Sequence, residues 1–163
     1  DPDDIVQIKN SMIEAGKRPS RAVALHQEIY RRNPKINSII LTQSPALMGF
    51  CTTGVKFDVR TIPESWIFLQ DIPTFPFGSQ YDDKQLDVLA DEFKQRPFVM
   101  LANDSVLVTG DKLINTFDRL EVAGVVHVLD DDVPGLGALC SRRFLGKSPE
   151  HFHGLASAAG EHV

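Results

Sequence analysis

The chain has 163 residues, of which 42% are hydrophobic and 24% charged, a composition typical of a folded globular protein and not of a disordered or fibrous one. Acidic residues (22) outnumber Lys and Arg (17), which gives a net charge of −5 at pH 7. This balance argues against binding to nucleic acid or to anionic membranes, because basic surfaces supply most of the affinity for both.

The length predicts a single domain over residues 1–163. Two cysteines, Cys51 and Cys140, are too few for a disulfide framework and fit a reducing compartment. The apolar run from Asn37 to Cys51 is interrupted by polar residues and a proline, so it is too short and too polar to span a bilayer. The first residues lack the basic and apolar regions of a signal peptide. We therefore expect a cytoplasmic protein without a membrane or nucleic-acid partner.

Helical and strand patterns alternate along the first third of the chain. Alternating side chains predict a short strand at Asp4–Ile8, and helical spacing of apolar residues predicts a helix over Ser20–Arg32. The helix ends at Asn33-Pro34, because a residue that precedes proline is disfavoured in the helical conformation. A buried strand is predicted at Asn37–Thr42, followed by a helix that starts at Ser44-Pro45 and ends near Gly54.

The same alternation continues through the rest of the chain. The predicted segments are a strand at Trp66–Leu69, an extended loop at Pro73–Gly78, a helix capped by Asp82 or Asp83, a central strand at Pro97–Ala102 that forms a hairpin with Val106–Val108, a long helix from Asp111, an irregular stretch after Asp130 and a short helix from about Ser148. This order predicts an α/β fold with a central mixed or antiparallel sheet flanked by helices on both sides.

A basic cluster surrounds Pro19-Ser20 at the start of the first predicted helix, formed by Lys17, Arg18 and Arg21. Free N–H groups and partial positive charge make a helix N-terminus attractive to anions, so the cluster suggests a phosphate site. Spacing alone favours a second interpretation, in which the cluster is a solvated basic turn.

Two C-terminal patterns contain residue types that bind metals. His151 and His153 follow Glu150, and Glu161 and His162 are further candidate ligands. A zinc site, however, needs three or four well-placed ligands. The run Asp130–Asp132 lacks the glycine and the spaced carboxylates of a calcium loop. We interpret the first pattern as a loosely ordered tail and the second as a solvated acidic helix end.

Three other side chains have ordinary interpretations. Cys140 precedes two arginines that could lower the pKa of its thiol, but the sequence places no histidine to act as its base. His26 and His127 lie in helix-like and strand-like patterns, where a partly buried histidine with satisfied hydrogen bonds is the default expectation.

Several segments together resemble the class II aldolase/adducin family. The matching residues, in the family's order, are Pro19, Ser20, Leu25, His26, Ile29, Tyr30, Pro34, Thr42, Ser44, Pro45 and Asn103, with Phe117 and Glu121 further on. The resemblance extends from about Asp4 to Leu129 and implies the fold of that family, whose members include sugar-phosphate aldolases.

The chain departs from the family at the residues that carry out catalysis there. The resemblance implies that three metal-binding histidines are replaced by Leu41, Gln43 and Asp104, and that the acid/base glutamate is replaced by Ala22. Without a Lewis acid and a base, an enolate is neither stabilised nor protonated. We therefore expect no catalytic residues, no metal and no cofactor.

Part of the family's phosphate-binding site is retained. Ser20 matches one of the family's two phosphate-binding serines, and Arg21 replaces the other, so the resemblance implies an anion site at Ser20, Arg21 and Lys17. The family's upstream glycine-containing phosphate loop has no counterpart before Asp4, which suggests that the N-terminal segment is missing or lost.

Three hypotheses follow from the resemblance. The first is a catalytically degenerate domain that binds a phosphorylated sugar or forms a homo-oligomer. The second is an active aldolase or epimerase on phosphorylated sugars that uses an altered site around Gln43, Asp104 and the C-terminal histidines. The third is a structural interaction domain, as the resemblance to adducin implies. Fold resemblance alone does not choose among them.

Overall fold

A computed structural model describes residues 4–9, 11–129 and 155–158 of the chain. The strands are β1 (Ile8–Lys9), β2 (Met12–Ile13), β3 (Ser38–Thr42), β4 (Thr74–Phe75), β5 (Phe98–Leu101), β6 (Ser105–Gly110) and β7 (Leu155–Ala158). The helices are α1 (Val23–Arg32), α2 (Pro45–Thr53), α3 (Pro63–Leu69), α4 (Asp83–Glu92) and α5 (Leu113–Leu129).

Five of the strands form one mixed sheet in the order β4-β5-β6-β3-β7. β4 pairs with β5 in parallel, whereas β5–β6, β6–β3 and β3–β7 are antiparallel. In the centre of the sheet, Ile40 lies opposite Val108, and Val99 lies opposite Leu107. The predicted α/β fold with a mixed central sheet is therefore confirmed.

Helices cover both faces of this sheet, which is why its central strands are apolar on both sides. Side chains alternate along β5, so Phe98 and Met100 join one core cluster while Val99 and Leu101 join the other. The first cluster includes residues of α2, α3 and α5, and the second includes residues of α1 and α4. The predicted flanking of the sheet by helices is confirmed.

The β5–β6 hairpin is also confirmed. Its turn includes Asn103, which has a φ of 56°, a left-handed conformation that asparagine tolerates better than most residues. The turn brings residue 104 to the end of the sheet where β3 finishes, because β3 pairs antiparallel with β6.

The strand predicted at Trp66–Leu69 is wrong, because these residues belong to α3. A short apolar run fits a strand or a helix equally well, and here Pro63 starts a helix in which Ser65 and Leu69, one turn apart, are the buried side chains. Trp66, Ile67 and Phe68 are exposed instead.

Other boundaries differ from the predicted ones. The strand predicted at Asp4–Ile8 is reduced to Ile8–Lys9, which pairs only with β2 in a separate two-stranded sheet. The extended loop at Pro73–Gly78 contains β4, which adds to the sheet by parallel pairing. The first helix starts at Val23 and not at Ser20.

The predicted irregular stretch after Asp130 and the short helix from Ser148 lie largely outside the described residues. Residues 155–158 form β7, a strand that the sequence analysis did not predict. Among the described residues, the structure contains no helix that is long and apolar enough to cross a membrane.

Candidate functional site

Two of the predicted former metal positions are in contact. The side-chain Nε2 of Gln43 donates a hydrogen bond to the backbone carbonyl of Asp104 at 3.0 Å. Gln43 directly follows β3, and the pairing of Thr42 with Val106 places it beside the start of β6. The antiparallel register thus joins positions that are 61 residues apart in the chain.

The turn that carries Asp104 is held by further hydrogen bonds. The Asn103 N–H donates to the Cys51 carbonyl at 2.9 Å, which ties the turn to α2. The Ser105 hydroxyl donates to Oδ2 of Asp104 at 2.7 Å. One N–H of the Gln43 amide and one carboxylate oxygen of Asp104 therefore have hydrogen-bond partners within the protein.

Leu41, the third former metal position, extends the hydrophobic core. It lies two residues after Ile39, so both side chains point to the α1 side of the sheet, where Leu41 packs against the cluster that contains Leu25 and Ile29. An aliphatic side chain offers no atom to a metal ion. Together the three residues supply one amide and one carboxylate, which does not fit a zinc site.

Cys51 lies behind the turn but does not complete a metal site. Its side chain is buried, with Sγ 3.7 Å from the Ser105 carbonyl. Burial, with a smaller contribution from the nearby charge of Asp104, raises the pKa of the thiol to about 11. A thiol that stays protonated is a poor nucleophile. The described residues contain no cluster of three or more His, Cys, Asp and Glu side chains that could hold a metal ion.

Ala22, at the position of the family's glutamate, is the N-cap residue of α1. Its methyl side chain has no group that can accept or deliver a proton. Its backbone N–H donates to the Ser20 hydroxyl oxygen at 3.2 Å, an arrangement in which the hydroxyl proton of Ser20 is free to donate elsewhere. The N–H groups of Ala24 and Leu25, in the first turn of α1, have no hydrogen-bond partner within the described part of the chain.

The predicted anion-binding residues are divided between two places. Ser20 is half-buried at the start of α1, and Arg21 beside it is exposed. Lys17 lies 3.3 Å from a Glu14 carboxylate oxygen and donates to the Ile5 carbonyl at 2.7 Å. The ammonium group of Lys17 is therefore engaged with the N-terminal hairpin, which leaves Ser20, Arg21 and the free N–H groups at the helix start.

His26 lies one turn along α1 from Ala22. It is buried, as expected for a core histidine, but the expectation that its hydrogen bonds are satisfied is wrong, because its Nε2 has no partner among the described residues. Burial lowers the pKa of His26 to about 4, so the ring is neutral near pH 7.

The remaining sequence candidates do not contribute to the described site. Phe117 and Glu121 lie on the exposed face of α5. The side chain of His127 and the whole of Cys140 lie outside the described residues. The same holds for the other predicted metal or thiol positions: Asp130–Asp132, Arg142, Arg143, Glu150, His151, His153, Glu161 and His162.

Sequence reasoning missed a surface depression of about 450 Å³ beside β4, the edge strand of the sheet. Its charged lining residues are Lys56, Asp71, Glu92 and Arg96, and Arg96 donates to Glu92. Residues from distant parts of the chain form it, so no local sequence signal could have revealed it. Its positive and negative side chains balance each other, and it does not include the residues at the start of α1.

Comparison with known proteins agrees with this architecture. The family model described as "Class II Aldolase and Adducin N-terminal domain" matches residues 1–126. A search of curated proteins gave no match.

Solved structures with a similar fold include YgbL, a putative aldolase/epimerase/decarboxylase, from Escherichia coli (TM-score 0.64, 20% identity, covering 85% of this chain and 74% of that one) and from Klebsiella pneumoniae (TM-score 0.61, 22% identity, covering 75% and 61%). A sugar-phosphate aldolase from Thermotoga maritima is also similar (TM-score 0.60, 18% identity, covering 84% and 60%). The chain therefore spans about three fifths to three quarters of the length of these proteins. With more than two thirds of its residues matched by the family model, the chain belongs to the class II aldolase and adducin family.

Proposed function

We propose that this chain is a catalytically degenerate class II aldolase-like domain that binds a phosphorylated sugar without cleaving it and associates with further copies of itself. The observation that carries the loss of catalysis is the contact between Gln43 and Asp104. One N–H of the Gln43 amide and one carboxylate oxygen of Asp104 have partners within the protein, and Leu41 contributes to the core. Leu41 offers no ligand atom, one amide and one carboxylate are too few for a zinc site, and Ala22 has no proton to exchange.

The start of α1 supports the anion-binding part of this proposal. The free N–H groups of Ala24 and Leu25 carry the partial positive charge of a helix N-terminus. The Ser20 hydroxyl and the exposed guanidinium of Arg21 lie beside them, and both can donate to phosphate oxygens. A phosphate group is the ligand that such a set of donors suits best.

Thermal denaturation with added ligand tests the binding, since a ligand that binds only the native state raises the melting temperature. We expect a rise with a ketose 1-phosphate, a smaller rise with inorganic phosphate, and no rise with the unphosphorylated sugar. Ser20→Ala with Arg21→Ala should abolish the rise, whereas Lys35→Ala, an exposed cation outside the site, should preserve it. If none of these ligands raises the melting temperature, the chain is a structural interaction domain.

An aldol-cleavage assay on the same phosphorylated sugar tests the loss of catalysis. We expect no aldehyde to be released. Release that disappears in Gln43→Ala or Asp104→Asn would support instead an active aldolase or epimerase with an altered site.

A further inference from the structure

The edge strand β4 has backbone groups that point away from the sheet. In its parallel pairing with β5, the Pro73 carbonyl accepts from the N–H of Met100 at 2.9 Å. The Phe75 carbonyl accepts from the N–H of Ala102 at 2.9 Å. In this pattern the residue between the two acceptors turns its own N–H and C=O to the opposite side. Thr74 is that residue, so its N–H and C=O point outward, and neither has a partner within the described ranges of the chain.

Thr74 lines the depression of about 450 Å³ beside β4. β4 is two residues long, and the next outward-facing position is Pro76, which has no N–H. The Pro76 carbonyl already accepts from the N–H and the hydroxyl of Ser79. A partner strand therefore cannot continue its pairing in this direction, and the edge suits a short extended ligand that pairs with Thr74 through one N–H and one C=O.

Charged side chains of both signs line the same depression. Arg96 donates to Glu92, so these two charges balance each other. Lys56 and Asp71 are exposed, and neither forms an ion pair or a hydrogen bond with the described residues. The depression therefore offers one free positive and one free negative group.

The surroundings do not cancel these two free charges. Asp58 lies near Lys56, and Arg60 lies near Asp71, but Asp58 and Arg60 pair with each other at 2.7 Å. The depression and its rim are thus neutral as a whole, with separate positive and negative groups. Such an arrangement favours a ligand that is itself neutral overall and carries one charge of each sign.

We propose that the depression beside β4 binds a short zwitterionic peptide of tripeptide size in an extended conformation. Its backbone exchanges two hydrogen bonds with Thr74, its amino group pairs with Asp71, and its carboxylate pairs with Lys56. Three extended residues span about 10 Å, and the volume of about 450 Å³ lies within the usual range for small-ligand sites. The site shares no residue with the start of α1, so it does not depend on the proposed phosphate binding.

Calorimetric titration with trialanine tests the backbone contact. We expect saturable binding to the wild type and binding about tenfold weaker to Thr74→Pro. Proline removes the outward N–H but none of the hydrogen bonds between β4 and β5. Thr74→Val keeps the N–H and should bind like the wild type, and thermal denaturation checks that both variants fold.

Modified ligands test the same contact without changing the protein. The two peptide N–H groups of trialanine point to opposite sides of the extended chain, so one faces Thr74 and the other faces away. Methylation of one of these nitrogens should therefore abolish binding, whereas methylation of the other should preserve it. Trialanine with both ends capped lacks the two charges and should bind about tenfold more weakly than the uncapped peptide.

Substitution of the two charged residues completes the test. Lys56→Ala with Asp71→Ala should bind capped and uncapped trialanine equally, whereas Lys35→Ala, an exposed cation outside the depression, should keep the difference. The absence of saturable binding to the wild type would overturn the proposal. So would binding that Thr74→Pro and both methylated ligands leave unchanged, or a preference for the uncapped peptide that survives in the double variant.

Discussion

The side-chain amide of Gln43 donates to the backbone carbonyl of Asp104 at 3.0 Å, and this hydrogen bond joins the end of β3 to the β5–β6 turn. Zinc-binding histidines are implied at both positions by the family resemblance. Here the same two positions form part of the hydrogen bonding that holds the turn. The contact explains how the fold keeps its shape at a place where the resemblance implies metal-binding histidines.

Removing this hydrogen bond should have a small, measurable effect on stability. We expect Gln43→Ala to lower the free energy of unfolding by about 0.5–1.5 kcal/mol, the usual net contribution of one hydrogen bond. Urea denaturation measures the change. Gln27→Ala is the control, because Gln27 is exposed on α1 and should change stability by less. Equal effects of the two substitutions would contradict the role assigned to Gln43.

Restoring histidines at the three former metal positions should create a zinc site. Positions 41 and 43 point to the same side of the chain, and position 104 lies against position 43. We expect Leu41→His, Gln43→His and Asp104→His together to bind zinc stoichiometrically, as measured by calorimetric titration of the folded variant. The control is a second triple variant that carries Thr42→His in place of Leu41→His. Its first histidine points to the opposite side of β3, so this variant should not bind zinc stoichiometrically. Equal zinc binding by both triple variants would show that the geometry is not retained.

Gly110, at the end of β6, has no room for a side chain. A Cβ at this position would lie 2.5 Å from Oγ1 of Thr116 and 2.9 Å from Nη1 of Arg119, which itself donates to the Thr109 carbonyl. We expect Gly110→Ala to destabilise the protein by about 1–3 kcal/mol, as overpacking does.

The matched control is Gly124→Ala in α5, where a Cβ would meet no atom within 4 Å. Alanine is the better helix former, so this change should stabilise the protein by up to about 1 kcal/mol. Thermal denaturation of both variants measures the contrast. A loss of stability in Gly124→Ala as large as that in Gly110→Ala would refute the steric explanation.

His26 should make stability depend on pH. Its pKa is about 4 in the folded chain and 6.5 in the unfolded one, so between these values the unfolded chain binds a proton that the folded chain does not. The free energy of unfolding therefore falls as the pH is lowered from 6.5 towards 4, by up to about 1.4 kcal/mol per pH unit.

Comparing the free energy of unfolding at pH 7 and at pH 5 separates the contribution of His26 from that of the carboxylates. The pKa of Glu28 is held down by Arg31 and Arg32, so its contribution is lost only at lower pH. Substitution of His26→Leu should flatten the dependence between pH 7 and 5, and His26→Gln provides a second variant that cannot titrate. An unchanged slope in both variants would show that another group is responsible.

The sequence predicted the sheet well because its central strands carry strong local signals. β5 and β6 are apolar runs separated by a polar turn at Asn103, and their antiparallel pairing follows from the short connection. The helix α3 was missed because its apolar run, Trp66-Ile67-Phe68-Leu69, fits both periodicities, and burial of Ser65 and Leu69 against the rest of the fold decides between them.

The identity of the candidate site residues came from sequence, but their contacts did not. Ser20 and Arg21 follow from the motif at the start of α1, whereas the engagement of Lys17 by Glu14 depends on the hairpin that precedes it. The contact of Gln43 with Asp104 depends on the register between β3 and β6, which a single sequence does not specify.

Zinc titration of the chelator-treated wild-type chain, beside the Gln43→Ala/Asp104→Asn variant, tests most directly whether this domain has lost the metal site. If positions 43 and 104 do not form a metal site, both proteins take up the same amount of zinc, and this is the result we expect. Stoichiometric zinc binding by the wild type that is lost in the variant would contradict it, because positions 43 and 104 would then be metal ligands.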